Sequence, residues 1–306
     1  CKITKIYAVI NKKLKFAKSN QHINMLIFNK QSDLIAHLKP YLNAKTTIGF
    51  VPTMGALHQG HLSLLQQSFD ENEITVLSIF VNPTQFNNAQ DLSKYPRTLD
   101  SDVVKIKSVS NKTIIYTPTE DDIYEGNTVA EHFDFGGLEH QMEGQFRPGH
   151  FDGVGTIVKR LFEIVKPTNA YFGEKDFQQL QIVKKLVEKQ KLPVNIIECP
   201  IFREDSGLAM SSRNQNLSEK AKKEAALIYK ILKSAKIKFG TISAKEVSKW
   251  VINEFKKNAD FELEYFQIAD ESNLLPCFRK NKKKKYRAFI AVFVNNIRLI
   301  DNISLN

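Results

Sequence analysis

The sequence predicts an α/β protein in which a parallel sheet fills the first two thirds of the chain and a smaller α+β unit follows. Three observations carry this. Strand-length β-branched and apolar runs alternate with amphipathic helical patterns from Met25 to Glu198. The run Glu73–Val81 is nearly continuously β-prone, as in a central parallel strand covered on both faces. Strand ends are twice followed by glycine, a polar turn and a helix, and open parallel sheets place their ligands there. The alternation stops near Phe202, so the expected division is an extension over 1–24, a sheet domain over 25–201 and a C-terminal domain over 202–306.

In chain order, Met25–Phe28 reads as a short strand and Gln31–Leu42 as a helix with Leu34, Ile35 and Leu38 on one face. Thr46–Phe50 is a second strand, and Leu62, Leu64, Leu65 and Phe69 mark the helix after it. Glu73–Val81 ends in Asn82-Pro-Thr-Gln-Phe86. Asp91–Thr98 reads as a polar loop, followed by a helix with Val103, Val104 and Ile106 and a strand at Thr113–Tyr116. Pro118–Gly137 is loop-rich with a short strand at His132–Phe135, and Glu143–Gly155 reads as a flexible charged segment able to cover a site. A helix at Val154–Val165, strands at Ala170–Phe172 and Val194–Glu198, and a helix after Gly173 complete the sheet domain. Helices at Ser218–Lys238 and Ser243–Lys257 lead into three strands, Glu262–Ala269, Tyr286–Val294 and Arg298–Ile303, of a mostly antiparallel sheet.

The chemistry concentrates at the strand ends. In Met54-Gly-Ala-Leu-His-Gln-Gly-His61, Gly55 and Gly60 let backbone approach a ligand, and His58 and His61 face one side of a helix start, a place that suits a polyphosphate. Asn82 and Gln85 offer amides that donate to and accept from a hydroxyl or carboxylate. Lys175 is a point charge for phosphate oxygens, and Gln179 projects from the same helical face. Asp176 is suited to a ribose hydroxyl, to orienting Lys175 or to a magnesium ion. Ser211, Ser212 and Arg213 set two hydroxyls and a guanidinium in consecutive positions. Arg147 and His150 are further candidates for substrate contact.

Of the 306 residues 42% are apolar, enough for a core, and the formal charge is +11. That excess is uneven: residues 1–24 hold six lysines and no acid, and seven basic residues crowd into Arg279–Arg287, where solvation and protection of a sheet edge are the expected roles. Neither cluster interleaves aromatics as a base-stacking surface does, so no nucleic-acid partner is expected. No apolar run reaches membrane-spanning length. Cys1, Cys199 and Cys277 lack paired spacing and read as structural thiols of a reducing, cytoplasmic compartment.

His-x-Gly-His after a strand resembles the nucleotidyltransferase signature. Together with Phe-Val-Asn-Pro-x-Gln-Phe, Tyr-Pro-Arg-Thr, Arg-Pro-Gly-His-Phe, Phe-Gly-Glu-Lys-Asp-Phe-Gln-Gln-Leu and Met-Ser-Ser-Arg-Asn, in this order, the chain resembles the pantothenate synthetase (pantoate–β-alanine ligase) family from Met25 essentially to its end. The resemblance implies a Rossmann-like N-terminal domain, a C-terminal domain closing over the nucleotide, and a homodimer. It also implies a carbon–nitrogen ligase that uses ATP and magnesium to form pantoyl adenylate from pantoate, then joins it to β-alanine with release of AMP. On the matching positions, Met54, Gly55, Ala56, Leu57, His58, Gln59, Gly60 and His61 form the first ATP turn, with His61 at the position assigned as proton donor. Gly173, Glu174, Lys175, Asp176, Met210, Ser211, Ser212 and Arg213 match further ATP contacts, Phe202 matches a backbone contact to adenine, and Gln85 and Gln179 match the pantoate amides. Residues 1–24 have no counterpart in the pattern, and the lysine run after Cys277 is richer than the pattern leads one to expect. A relative that adenylylates or cytidylylates a phosphate is the competing enzyme reading, and the two neutral amides argue against it.

Overall fold

The computed structural model describes residues 25–306, so the expectations for the extension and for Cys1 lie outside the described residues. Six parallel strands, β1 (Ile27–Phe28), β2 (Ile48–Thr53), β3 (Ile74–Ile79), β4 (Ile114–Tyr116), β5 (Asn169–Gly173) and β6 (Asn195–Cys199), form one sheet in the order β1-β4-β3-β2-β5-β6. From β2 the chain winds outward through β3 to β4, and from β5 it winds the other way to β6. The crevice at this reversal opens above the carboxyl ends of β2 and β5.

Alternation along each strand serves both faces. Ile48, Phe50, Val76, Ile114, Tyr116, Ala170 and Phe172 point to one core, shared with α1 (Gln31–Asn43), α7 (His150–Val165) and α8 (Phe177–Gln190). Their neighbours Val51, Leu77, Ile115 and Tyr171 enter the other core, under α2 (Gln59–Glu71) and α4 (Leu99–Val109). Strand β2 runs three residues past its expected end, through Pro52. A proline is tolerated there because β2 pairs with β5 only at Gly49 and Phe50; beyond them the two strands part and Pro52 owes β5 no N–H.

Several expectations are corrected. Within the supposed loop Asp91–Thr98, residues up to Lys94 belong to a short helix, α3 (Ala89–Lys94), capped by the Asn88 side chain on the Gln90 N–H at 2.7 Å. No strand forms at His132–Phe135; α5 (Glu120–Tyr124) is the regular element of that region, and Phe133 and Phe135 are buried against Gly155 of α7. The segment Glu143–Gly155 is no open flap but α6 (Met142–Phe146) and the start of α7, with Glu143, His150 and Phe151 buried. Ile35 and Val104 face outward, while Leu34, Leu38 and Ile106 take the inner positions.

The C-terminal part is as expected in outline. Ser218 and Ser243 cap α9 (Glu219–Phe239) and α10 (Ala244–Lys256), the latter with a capping box closed by Glu246. Both helices cover one face of the antiparallel sheet β7 (Phe261–Asp270), β8 (Tyr286–Val294) and β9 (Ile297–Ser304), around Leu232, Val247, Val251, Ile290 and Val292. Asn295 and Asn296, at φ 48° and 65°, make the tight β8–β9 turn that positive φ at both positions favours. Ala269, Leu274 and Phe289 cross into the core of the first sheet. Arg279–Lys285 do lie in the β7–β8 connection, but Arg287 does not share their solvated role: it is 6% exposed and salt-bridged to Glu174 and Glu271.

Candidate active site

Above the split between β2 and β5 lies a cleft of about 220 Å³, lined among others by Met54, His58, Gly60, His61, Gly173, Lys175, Phe202, Met210 and Ser211–Arg213. It is continuous with a larger space of about 610 Å³ that reaches β9, the two sharing Met54, Gln85, Tyr95, Lys175, Asp176, Gln179 and Arg213. Four stretches of chain, from the ends of β2, β3 and β5 and from beyond β6, thus meet at one place. Of the residues expected there, Gly55, Ala56, Leu57, Gln59 and Glu174 do not line the inner cleft: the first three are buried behind it, Gln59 is exposed, and Glu174 is held by Arg287.

The first turn owes its shape to a residue that no motif announced. Asp102, fully buried on α4, accepts the Ala56 N–H at 2.9 Å and the Leu57 N–H at 2.7 Å, and Lys105 donates to the Leu57 carbonyl at 2.7 Å. Gly55 adopts φ 86°, the left-handed conformation glycine enters freely. The one sequence signal for Asp102 was a carboxylate one turn before Ile106 on the inward face of an amphipathic helix.

At the start of α2, His58 and His61 stack with ring centroids 4.0 Å apart. A Cβ on Gly60 would come within 3.0 Å of the His58 ring, so only glycine leaves it room. The His58 N–H donates to His61 Nδ1 at 3.3 Å, which fixes the neutral tautomer of His61 and leaves its Nε2–H free to donate. Burial, followed by Lys175 and Lys105, holds the His61 imidazole down at about 4; burial, His61 and Lys175 hold His58 at about 2. Both rings are therefore neutral near physiological pH.

Across the cleft, Lys175 occupies the single 3₁₀ turn Glu174–Asp176 between β5 and α8, its nearest carboxylate oxygen being Asp176 Oδ1 at 3.9 Å. Ser212 donates its hydroxyl to the Ala56 carbonyl at 3.1 Å and so ties the Met-Ser-Ser-Arg stretch to the first turn. The Ser211 hydroxyl oxygen accepts the Arg213 N–H at 3.3 Å, leaving its proton to donate, and the Arg213 guanidinium pairs with Asp91 of α3 at 3.0 Å.

Gln85 borders the cleft beside Met54, its Nε2 3.0 Å from the Met54 sulfur. Asn82 borders the same space, yet its amide is engaged: Nδ2 donates to Gln85 Oε1 at 3.2 Å and to the Gly153 carbonyl at 3.1 Å, and Oδ1 accepts from Tyr124 at 2.5 Å. A Cβ on Gly153 would strike the Thr84 carbonyl, so this glycine lets α7 pack against the Gln85 turn. The Gln179 side-chain amide makes no hydrogen bond to another described residue and faces the cleft.

Arg147 and His150 line the larger space and hold Gln85 through its backbone. Arg147 donates to His150 Nε2 at 3.1 Å, so Nδ1–H must donate to the Gln85 carbonyl, at 2.8 Å. Burial and Arg147 hold His150 down at about 3. Between that value and about 6.5 the unfolded chain binds a proton that the folded one refuses, so stability rises with pH across that window and is complete above it. Replacing His150 by Gln is expected to remove up to about 1.4 kcal/mol per pH unit from the slope between about pH 5 and 6.5. Denaturant midpoints at the two pH values check this; an unchanged slope contradicts it.

On the side facing the C-terminal sheet, Arg298 of β9 grips Glu143 of α6 with both terminal nitrogens, at 2.8 and 2.9 Å, and Tyr265 of β7 donates to the same carboxylate at 2.9 Å. Burial alone would raise the Glu143 carboxyl, but the Arg298 hydrogen bonds and charge bring it to about 2. Nothing in the spacing of residues 143, 265 and 298 signalled this joint.

The Pantoate-beta-alanine ligase family profile matches residues 26–304. The pantothenate synthetase of Flavobacterium psychrophilum is 66% identical over 281 residues, 92% of this chain and 100% of that protein. That of Christiangramia forsetii is 51% identical over 282 residues, again 92% and 100%. Among solved structures, pantothenate synthetase from Thermus thermophilus matches with a TM-score of 0.84 at 36% identity, over 92% of this chain and 99% of that one. Pantoate-beta-alanine ligase from Francisella tularensis, complexed with beta-gamma ATP and beta-alanine, matches with a TM-score of 0.76 at 36% identity, over 92% and 98%.

Proposed function

The chain belongs to the pantoate–β-alanine ligase family, and from that premise we propose how its cleft divides the ATP-dependent condensation of pantoate with β-alanine among named residues. The observation that carries this division is the meeting of His58, His61, Lys175, Ser211, Arg213, Gln85 and Gln179 on one cleft.

In the first step a pantoate carboxylate oxygen attacks the α-phosphorus of ATP, forming pantoyl adenylate and expelling pyrophosphate. Negative charge grows on the phosphoryl oxygens and on the leaving group. The Lys175 ammonium, the His61 Nε2–H, the Ser211 hydroxyl and the Arg213 guanidinium are donors already in place for it, supplying stabilisation without reorganisation. His61, whose buried imidazole is neutral above about pH 4, donates a hydrogen bond where the family pattern assigns a proton donor. Met54 and the backbone of Gly55–His61 form the phosphate turn, with Ala56, Leu57 and Gln59 as backbone support. Gly173, Asp176 and Met210 line the nucleotide side, and the Phe202 main chain faces adenine. Gln85 and Gln179 hold the hydroxyls and carboxylate of pantoate, and Asn82, its amide committed to Gln85, orients that grip.

In the second step the neutral amine of β-alanine attacks the acyl carbon; the amide forms, AMP leaves, and the amine proton is released. No side-chain nucleophile takes part, so the rate depends on holding amine and anhydride together and away from water. Asp176, which lines the cleft beside Lys175, would be the protein neighbour of a magnesium ion, and such an ion would neutralise charge on the triphosphate.

Residues 25–201 and 202–306 act as separate domains in this reading, supported by a distinct C-terminal core that begins at Leu208. The working unit is a homodimer in the cytoplasm. The Cys199 thiol, pushed up to about 12 by burial, suits a structural role there.

Omitting ATP, pantoate or β-alanine in turn tests the assignment. Pantothenate and AMP are expected only with all three present, whereas pyrophosphate release that follows a phosphate ester and ignores pantoate would contradict it. For Gln85→Ala we expect the KM for pantoate to rise about tenfold, with the KM for ATP changed less than about twofold, since one amide's hydrogen bonds are lost to a single substrate. Unchanged pantoate dependence would remove Gln85 from that role.

A further inference from the structure

We propose that Asn302, on the last strand of the C-terminal sheet, is a positioning residue for Lys175; this rests on the phosphate-binding role given to that lysine above. The Lys175 side chain has no neighbour that fixes it, its nearest carboxylate oxygen being 3.9 Å away, so the place of its ammonium is set by the backbone of the Glu174–Asp176 turn. That backbone is gripped from outside. Asn302 Nδ2 donates to the Glu174 carbonyl and to the Lys175 carbonyl, both at 2.9 Å.

The amide can adopt only this orientation. Its Oδ1 accepts from Arg287 Nη1 at 2.7 Å, and a flipped amide would set Nδ2 against a guanidinium that cannot accept and Oδ1 against two carbonyls that cannot donate. Arg287 is itself fixed by Glu271 at 2.9 Å, by Glu174 at 3.3 Å and by the Phe177 ring 4.0 Å below its guanidinium. Asn302 is 1% exposed, and its neighbour Asp301 is clamped by both terminal nitrogens of Arg203 at 2.7 and 2.9 Å. The C-terminal sheet therefore does more than border the cleft. It supplies a rigid bracket for the turn that carries the phosphate lysine, and displacement of a reacting group by about 1 Å costs about a hundredfold in rate.

Two variants test this. Asn302→Asp keeps the shape and the Arg287 contact but removes both donors, and Asn302→Ala removes the whole bracket. Both are expected to lower kcat for pantoate-dependent pyrophosphate release at least about tenfold, with the KM for pantoate changed less than about twofold. In a Lys175→Ala background the same substitutions are expected to change the rate less than about twofold, because the effect passes through that lysine. Folded Asn302→Asp protein with the wild-type rate would overturn the proposal. So would a full additional loss in the Lys175→Ala background, or loss of folded protein in both variants, which would make Asn302 a structural clamp alone. A Lys175→Ala enzyme at full rate would overturn the underlying lysine assignment, and that result is separable because it involves no change at Asn302.

Discussion

Lys175→Ala is expected to slow pantoate-dependent pyrophosphate release by about 10²–10³-fold while leaving the unfolding midpoint almost unchanged. The two halves of that expectation have different physical sources. The side chain is 18% exposed and makes no close ion pair, so folding loses little when its charge goes. In the proposed transition state the same charge would face oxygens that are gaining negative charge inside a cleft walled by protein, where a fixed donor is worth several times its value in water. Lys175→Met, which keeps the apolar stem, should behave alike. Pyrophosphate release within about threefold of wild type in either variant would remove Lys175 from the chemistry.

His61→Ala is the second large effect, an expected loss of about 10² in kcat from the removal of one preorganised donor. It has an independent signature in pH. Because burial, Lys175 and Lys105 hold the free ring at about 4, the acid limb of kcat/KM should lie well below the ordinary histidine value of about 6.5. A limb centred at about 6.5 that vanishes in His61→Ala would show instead an ordinary, solvated imidazole acting through its protonated form.

The sequence made the site more legible than its supports, and the reason is where each kind of residue sits. His58, His61, Gln85, Lys175 and Arg213 lie in short stretches just beyond strands or in turns, so strand pattern plus residue chemistry was enough to place them. Asp102, Asn302 and Arg287 act through backbone atoms or through partners far along the chain. Asp102 reaches back 46 residues to Ala56, and Asn302 reaches 127 residues to Lys175; no local pattern encodes such a contact. Asp91–Lys94 reads as loop because Asp91, Ser93 and Lys94 leave it without an apolar stripe, and the Asn88 cap ahead of it is what marks Ala89–Lys94 as helix. Glu143–Gly155 misled in the opposite sense. Its glycines and charges resemble a mobile flap, but Gly153 is there for close approach to the Thr84 carbonyl and Glu143 for a buried pair with Arg298. The lysines after Cys277 obeyed the expectation of solvated charge, whereas Arg287, in the same run, falls on an inward-facing strand position and became structural.

The mechanism stands on one bond, formed within this cleft between a carboxylate oxygen of pantoate and the α-phosphorus of ATP. The most direct measurement is oxygen transfer: pantoate labelled with ¹⁸O in its carboxylate is turned over with ATP and β-alanine, and the AMP is weighed by mass spectrometry. The mechanism requires one labelled oxygen in AMP for each pantothenate formed. AMP without label would mean that the bond between pantoate and the α-phosphate never forms.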